Sequence, residues 1–185
     1  MIEKEKTQHI NKCVFLDRDG VLNEDRGYHY VYDVKYFNIK EGVTDSLQLL
    51  KSKGWYLIVI TNQAGINKGL YTDADVDTCH EYLQKQCNYS IDAFYHSPYH
   101  PSYTESLSRK PDSLLFEKAI SKFKISPLHS WMVGDKERDL IPAKKLGMRT
   151  ILICNDTSIT CAYADYMVHS LPEAVRLLIL RDYNI

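Results

Sequence analysis

The chain has 185 residues and a formal charge of −1, built from 23 basic and 24 acidic side chains. That length can bury a substantial core, and near-neutral, evenly mixed charge offers no broad basic surface, which argues against nucleic acid as a partner. No apolar run is long enough to span a membrane, the start Met1-Ile2-Glu3-Lys4-Glu5-Lys6 lacks a signal-peptide core, and the five cysteines are scattered; the expectation is a cytoplasmic protein with reduced thiols and no membrane partner.

Residues 1–11 read as a polar lead-in, and 12–185 as a single domain. A short apolar run at 13–16 predicts a buried strand of a parallel sheet, ending in Asp17-Arg18-Asp19-Gly20. An irregular aromatic segment follows over 24–40. Val43, Leu47 and Leu50 then have helical spacing, and Gly54 ends that helix. Residues 56–60 predict a second strand closing on Thr61-Asn62-Gln63-Ala64-Gly65. Thr72, with Asp75 three residues on, caps a helix that carries Val76, Cys79, Leu83 and Cys87 on one face. Residues 91–95 predict a third strand, 96–109 a loop, and Leu114, Leu115, Ala119, Ile120 and Phe123 an amphipathic helix after Pro111. A fourth strand at 131–134 ends at Asp135, a helix over 138–146 stops at Gly147, and 150–154 and 166–168 predict two further strands. A helix over 171–181 closes the pattern. Strands alternating with helices predict an α/β fold with a doubly wound parallel sheet and right-handed crossovers.

The polar residues fall in one register. Asp17 and Asp19, Thr61 and Asn62, Arg109 and Lys110, and Asp135 each follow a strand or precede a helix. In an open parallel sheet those ends share one edge, so these groups converge. Taken singly each has a plain reading: Asp-x-Asp-Gly as a surface turn or half of a calcium loop, Asp135 as a helix cap, Lys110 as surface charge, Thr61 as an ordinary strand end. Two close carboxylates need a cation, a shared proton or a lysine beside them. The set as a whole suits phosphoryl transfer with a divalent metal, in which lysine and hydroxyl groups stabilise the phosphoryl oxygens.

With these residues in place the chain resembles the haloacid dehalogenase (HAD) superfamily of phosphatases, through Asp17-Arg18-Asp19-Gly20-Val21, Thr61, Lys110 and the stretch from Gly134-Asp135 to Asp139. The resemblance implies a Rossmann-like, three-layer α/β/α core. It implies Asp17 as a nucleophile forming an aspartyl-phosphate and Asp19 as general acid and then base. It further implies Mg²⁺ on Asp17, Asp135 and the Asp19 backbone carbonyl, with Asp139 standing behind those ligands, and phosphoryl contacts from Thr61 and Lys110. The segments that carry cap domains in relatives are short here, so a capless enzyme is expected.

Asn62-Gln63-Ala64-Gly65-Ile66-Asn67-Lys68-Gly69 and Arg109-Lys110-Pro111 look like the branch that holds heptose bisphosphate, histidinol and polynucleotide phosphatases. Asn23-Glu24-Asp25-Arg26-Gly27-Tyr28 followed by Val31 is similar to the heptose members, which remove the 7-phosphate of D-glycero-D-manno-heptose 1,7-bisphosphate in nucleotide-heptose biosynthesis. By that resemblance Asp25, Arg26, Gly27, Tyr28, Asn62, Gln63, Ala64, Arg109 and Lys136 line a site for a small sugar phosphate, with Arg109 clamping a distal phosphate. The alternatives are a histidinol-phosphate phosphatase and a phosphosugar-binding protein with little turnover. A monomer or weak oligomer is expected. One departure stands out. Relatives hold a zinc ion with Cys-Pro-His and Cys-x-Cys, where this chain has Ser97-Pro98-Tyr99 and Ser106-Leu107-Ser108. No structural zinc is expected from a loop so altered; Tyr95, Tyr99 and Tyr103 are expected to pack it, with serine hydroxyls bonding its backbone.

Overall fold

The computed structural model of the chain describes residues 10–25, 30–156 and 158–182. Its centre is a six-stranded sheet, every pairing parallel, made of β1 (Cys13–Leu16), β2 (Tyr56–Asn62), β3 (Ala93–Ser97), β4 (Trp131–Gly134), β5 (Arg149–Ile153) and β6 (Tyr166–Val168). The strand order is β3-β2-β1-β4-β5-β6. The chain therefore winds outward from β1 in one direction and, after β3, returns to β1 and winds outward in the other. The crevice between the carboxyl ends of β1 and β4 is the switch point where open sheets of this kind bind ligands.

Strand and helix patterns explain the layers. All four residues of β1 are buried, as expected of a central strand covered on both faces. Its alternate residues divide between two cores. Val14 and Leu16 join Leu57, Val59 and Val133 on the face covered by α1 (Val43–Ser52), α2 (Asp73–Gln86) and α5 (Leu171–Asp182). Cys13 and Phe15 join Ile58, Ile60 and Met132 under α3 (Leu114–Phe123) and α4 (Glu137–Lys145). This is the expected three-layer α/β/α sandwich, and neither segment that could carry a cap does so among the described residues. Thr72 and Asp75 form a reciprocal capping box at the start of α2, as their spacing predicts. Gly54 and Gly147, just past α1 and α4, are left-handed.

Several boundaries differ by one or two residues: β2 runs on to Asn62, past the expected 60, and α4 and β5 each lie one residue earlier than expected. The third strand begins at Ala93 and runs on to Ser97, two residues beyond the expected 91–95. Asp92 explains the late start: its Oδ2 accepts from the Leu57 backbone N–H, so the side chain takes a ladder position that the backbone would fill in a longer strand. No helix of the described residues is long and apolar enough to cross a membrane.

Candidate active site

Asp17 is the residue immediately after β1. Its backbone N–H donates to Val133 O at 3.0 Å, so pairing with β4 holds the carboxylate at the switch point. The side chain is 5% exposed, and its Oδ1 accepts from the Arg18 backbone N–H and from Lys110 Nζ, each at 2.8 Å. Lys110 comes from the turn before α3 and is itself buried. Its ammonium also donates to Ile60 O at 2.6 Å and lies 2.8 Å from Asp139 Oδ1. Burial works against the charge on Lys110, but Asp139 and Asp17 together hold its pKa above the ordinary value. Asn62 fixes the lysine backbone with a reciprocal pair of bonds, both 3.0 Å. The amide of Asn62, expected to line the substrate site, thus holds the lysine that faces Asp17.

Two glycines bring the remaining carboxylates close. A Cβ on Gly20 (φ +89°) would stand 2.4 Å from Asp135 Oδ2, and one on Gly134 would stand 2.5 Å from Asp139 Cβ. Only hydrogen at those positions lets the turn after Asp19 lie against Asp135 and lets α4 start so near β4. Asp139 caps α4, its Oδ2 accepting from the Lys136 backbone N–H at 3.0 Å. Asp135 pairs with Lys136 Nζ at 2.9 Å.

One oxygen each of Asp17, Asp135 and Asp139 lies within 4.8 Å of the others. Burial, reinforced by Asp139 and opposed by Lys110, pushes the Asp17 carboxyl up to about 7; burial also raises Asp135. An all-oxygen, multiply anionic set against a cradle that a single Cβ would fill fits a hard divalent cation such as Mg²⁺. Asp139 already serves Lys110 and the helix cap, which leaves Asp17 and Asp135 as the carboxylates able to hold the ion.

Asp19 is held from three sides. Its oxygens accept from Arg18 Nε and Nη2 at 3.0–3.1 Å, from Asn23 Nδ2 at 2.9 Å and from Gln63 Nε2 at 2.9 Å. Gln63 also donates to Thr61 Oγ1 at 2.9 Å, and its own carbonyl accepts from Tyr71 at 3.0 Å. Arg18, Asn23 and Tyr71 belong to this network, and no role for any of them was read from the sequence, although Arg18 and Asn23 stand inside the motifs that carry the resemblance. Their signal was weak, because a buried arginine two residues from a strand looks like any surface cation. Ala64 is buried. Asp25 and Lys136 line one cleft with Gly20, Lys40 and Asp135. Arg109 donates to Tyr99 O at 2.9 Å, and the nearby Arg138 depresses its pKa after burial does, so two guanidinium groups share that rim. Arg26, Gly27 and Tyr28 lie outside the described residues.

The altered loop is tied by hydroxyls. Ser108 Oγ lies 2.9 Å from both Ser97 Oγ and Ser106 Oγ. These are three of the four positions where the family resemblance would place zinc ligands, and they bond one another as well as the backbone: the Ser108 N–H donates to Ser106 Oγ at 3.3 Å. Tyr103 meets His100 edge-on at 5.9 Å, so aromatic packing here is partial.

Residues 107–174 match the family described as HAD-hydrolase-like. The chain is 36% identical over 177 residues to a D-glycero-beta-D-manno-heptose-1,7-bisphosphate 7-phosphatase of Haemophilus ducreyi, covering 89% of this chain and 96% of that protein. The protein of that name from Escherichia coli strain K12 is 34% identical, over 89% of this chain and 93% of its own. Among solved structures, the D,D-heptose 1,7-bisphosphate phosphatase of B. bronchiseptica, complexed with magnesium and phosphate, superposes with a TM-score of 0.84 at 21% identity, covering 93% of this chain and 99% of that one.

Proposed function

Because this chain belongs to the HAD-like phosphatases, in the branch of the heptose bisphosphate phosphatases, we propose that it removes the 7-phosphate of D-glycero-D-manno-heptose 1,7-bisphosphate, with Mg²⁺, through an aspartyl-phosphate. The observation that carries the mechanism is the meeting of Asp17, Lys110 and Asp135 at the β1–β4 switch point. Oδ1 of Asp17 is engaged by Lys110 and the Arg18 N–H, which leaves Oδ2 to attack phosphorus. As the P–O bond to the sugar breaks, Asp19 gives its proton to the leaving oxygen. Water then attacks the aspartyl-phosphate and passes a proton to Asp19, releasing phosphate and regenerating both carboxyl groups. Lys110 and the Thr61 hydroxyl stabilise charge on the transferring phosphoryl oxygens. Mg²⁺ held by Asp17, Asp135 and the Asp19 carbonyl would supply further neutralisation of that charge.

Gln63 and Asn23 keep Asp19 oriented, and Asp139 keeps Lys110 against Asp17. The Arg109 and Arg138 rim suits a second phosphate, which favours a bisphosphate over histidinol phosphate. The test is phosphate release from the heptose bisphosphate, hexose and pentose phosphates and histidinol phosphate, with Asp17→Asn alongside. Preference for the heptose bisphosphate and loss of turnover in Asp17→Asn are expected. A preference for histidinol phosphate would overturn the substrate, and near-normal release by Asp17→Asn would overturn the mechanism.

A further inference from the structure

On the outer face of the sheet, α2 and the end of β3 assemble a second group of metal-ligating side chains. Asp73, Asp77 and His80 follow at spacings of four and three along α2, which places them on one stripe. His96 is the next-to-last residue of β3. One ring nitrogen each of His80 and His96 and one carboxylate oxygen of Asp77 lie within 4.8 Å of one another. Asp73 Oδ1 lies 2.7 Å from His96 Nε2.

His80 is the telling member. It is 5% exposed, its ring is fixed by stacking on Phe94 at 4.4 Å and 17°, and its buried Nε2 has no hydrogen-bond partner among the described residues. A core histidine ordinarily finds a partner, since an unmet buried nitrogen is costly. The Arg18 charge acts on His80 and would oppose a cation, but Arg18 is already paired with Asp19 at 3.0 Å. Asp73 and Asp77 add two carboxylates on the open side of the cluster.

We propose that Asp77, His80 and His96, with Asp73 beside them, bind a structural transition-metal ion, Zn²⁺ or another first-row divalent cation. Two imidazoles with carboxylate oxygen are the donors such ions take, whereas Mg²⁺ prefers an all-oxygen set. The ion would join α2 to β3 directly before the 97–108 loop. That position is separate from residues 97, 99, 106 and 108, and it departs from the expectation of a zinc-free protein.

The test uses the full chain, stripped by a chelator and dialysed against Co²⁺ in millimolar Mg²⁺ so that the acidic site is filled. One Co²⁺ per chain is expected, with visible absorption of a four- or five-coordinate ion that Zn²⁺ abolishes. Asp77→Asn and His96→Gln should each weaken uptake by ~10-fold or more. His80→Gln should abolish it; should that buried variant fail to fold, the exposed Asp77 decides. Absence of Co²⁺ uptake, or uptake unchanged in both Asp77→Asn and His96→Gln, would overturn the site.

Discussion

On the proposed reading, substrate choice turns on Arg109. Its guanidinium donates to Tyr99 O and stands close enough to Arg138 for their charges to repel. An anion at that rim relieves the repulsion and takes up forked N–H groups. A group remote from the reacting phosphorus helps only substrates that can reach it. Arg109→Ala should therefore lower kcat/KM for a sugar bisphosphate on the order of 10-fold or more, in keeping with a lost charged hydrogen bond, and barely alter hydrolysis of a sugar monophosphate. Equal losses on both substrates, measured by phosphate release, would remove Arg109 from the distal-phosphate role. Residue by residue, the sequence was readable where a side chain stands at a strand end or a helix start: Asp17 and Asp135 follow β1 and β4, Thr61 is next to last in β2, and Lys110 precedes α3. The tasks of Asn62 and Asp139 were harder to read, because each acts on Lys110 from a distant element and nothing in the spacing ties 62 or 139 to 110.

At the scale of elements, periodicity marked every strand and α-helix, whereas the 3-10 turns at Val34–Tyr36 and Pro127–His129 are too short to show a period. The third strand starts late because Asp92 substitutes its carboxylate for a ladder partner. His80 was hidden because it falls on the apolar stripe of α2 beside Val76, Cys79 and Leu83, where it looks like core, and its partner His96 is sixteen residues away by number, on a strand end. The 97–108 loop is tied by hydroxyls. Ser108 bridges Ser97 and Ser106, and Ser97 O accepts from the Gln63 N–H at 2.7 Å, so the hydroxyl cluster backs the residue that orients Asp19. Ser108→Ala leaves two buried or half-buried hydroxyls without that bridge. It should cost about 1–2 kcal/mol in denaturant unfolding, with Ser108→Cys closer to wild type because a thiol keeps a weak donor. An unchanged midpoint in Ser108→Ala would mean the loop is held by its backbone turns alone.

For the molecule as a whole, the carboxylates at the switch point couple stability to pH and to cations. Asp17 is raised from 3.8 to about 7, first by burial and then by Asp139. Between those values the folded, metal-free protein keeps a proton that the unfolded chain has released. Stability of the metal-free form therefore falls as pH rises through that window, and is lowest above it. A divalent cation bound there would replace the proton as the source of neutralising charge. Mg²⁺ should thus raise Tm more at a pH of about 8 than at about 5, where it competes with the proton. A shift independent of pH, read by thermal unfolding with and without Mg²⁺, would separate ion binding from Asp17.

The sheet edge that holds these groups has no cap domain over it among the described residues, and that absence bears on the fate of the phosphorylated enzyme. An enclosed site chooses its second reactant by exclusion. On the proposed mechanism, water would reach the aspartyl-phosphate in competition with any small alcohol that enters the cleft lined by Gly20, Asp25 and Asp135. Hydrolysis would be favoured by the concentration of water and by the way Asp19 is held. On that mechanism the phosphoryl group would be shared among acceptors in proportion to their abundance and fit, so in a medium rich in polyols a fraction of it should appear on the polyol.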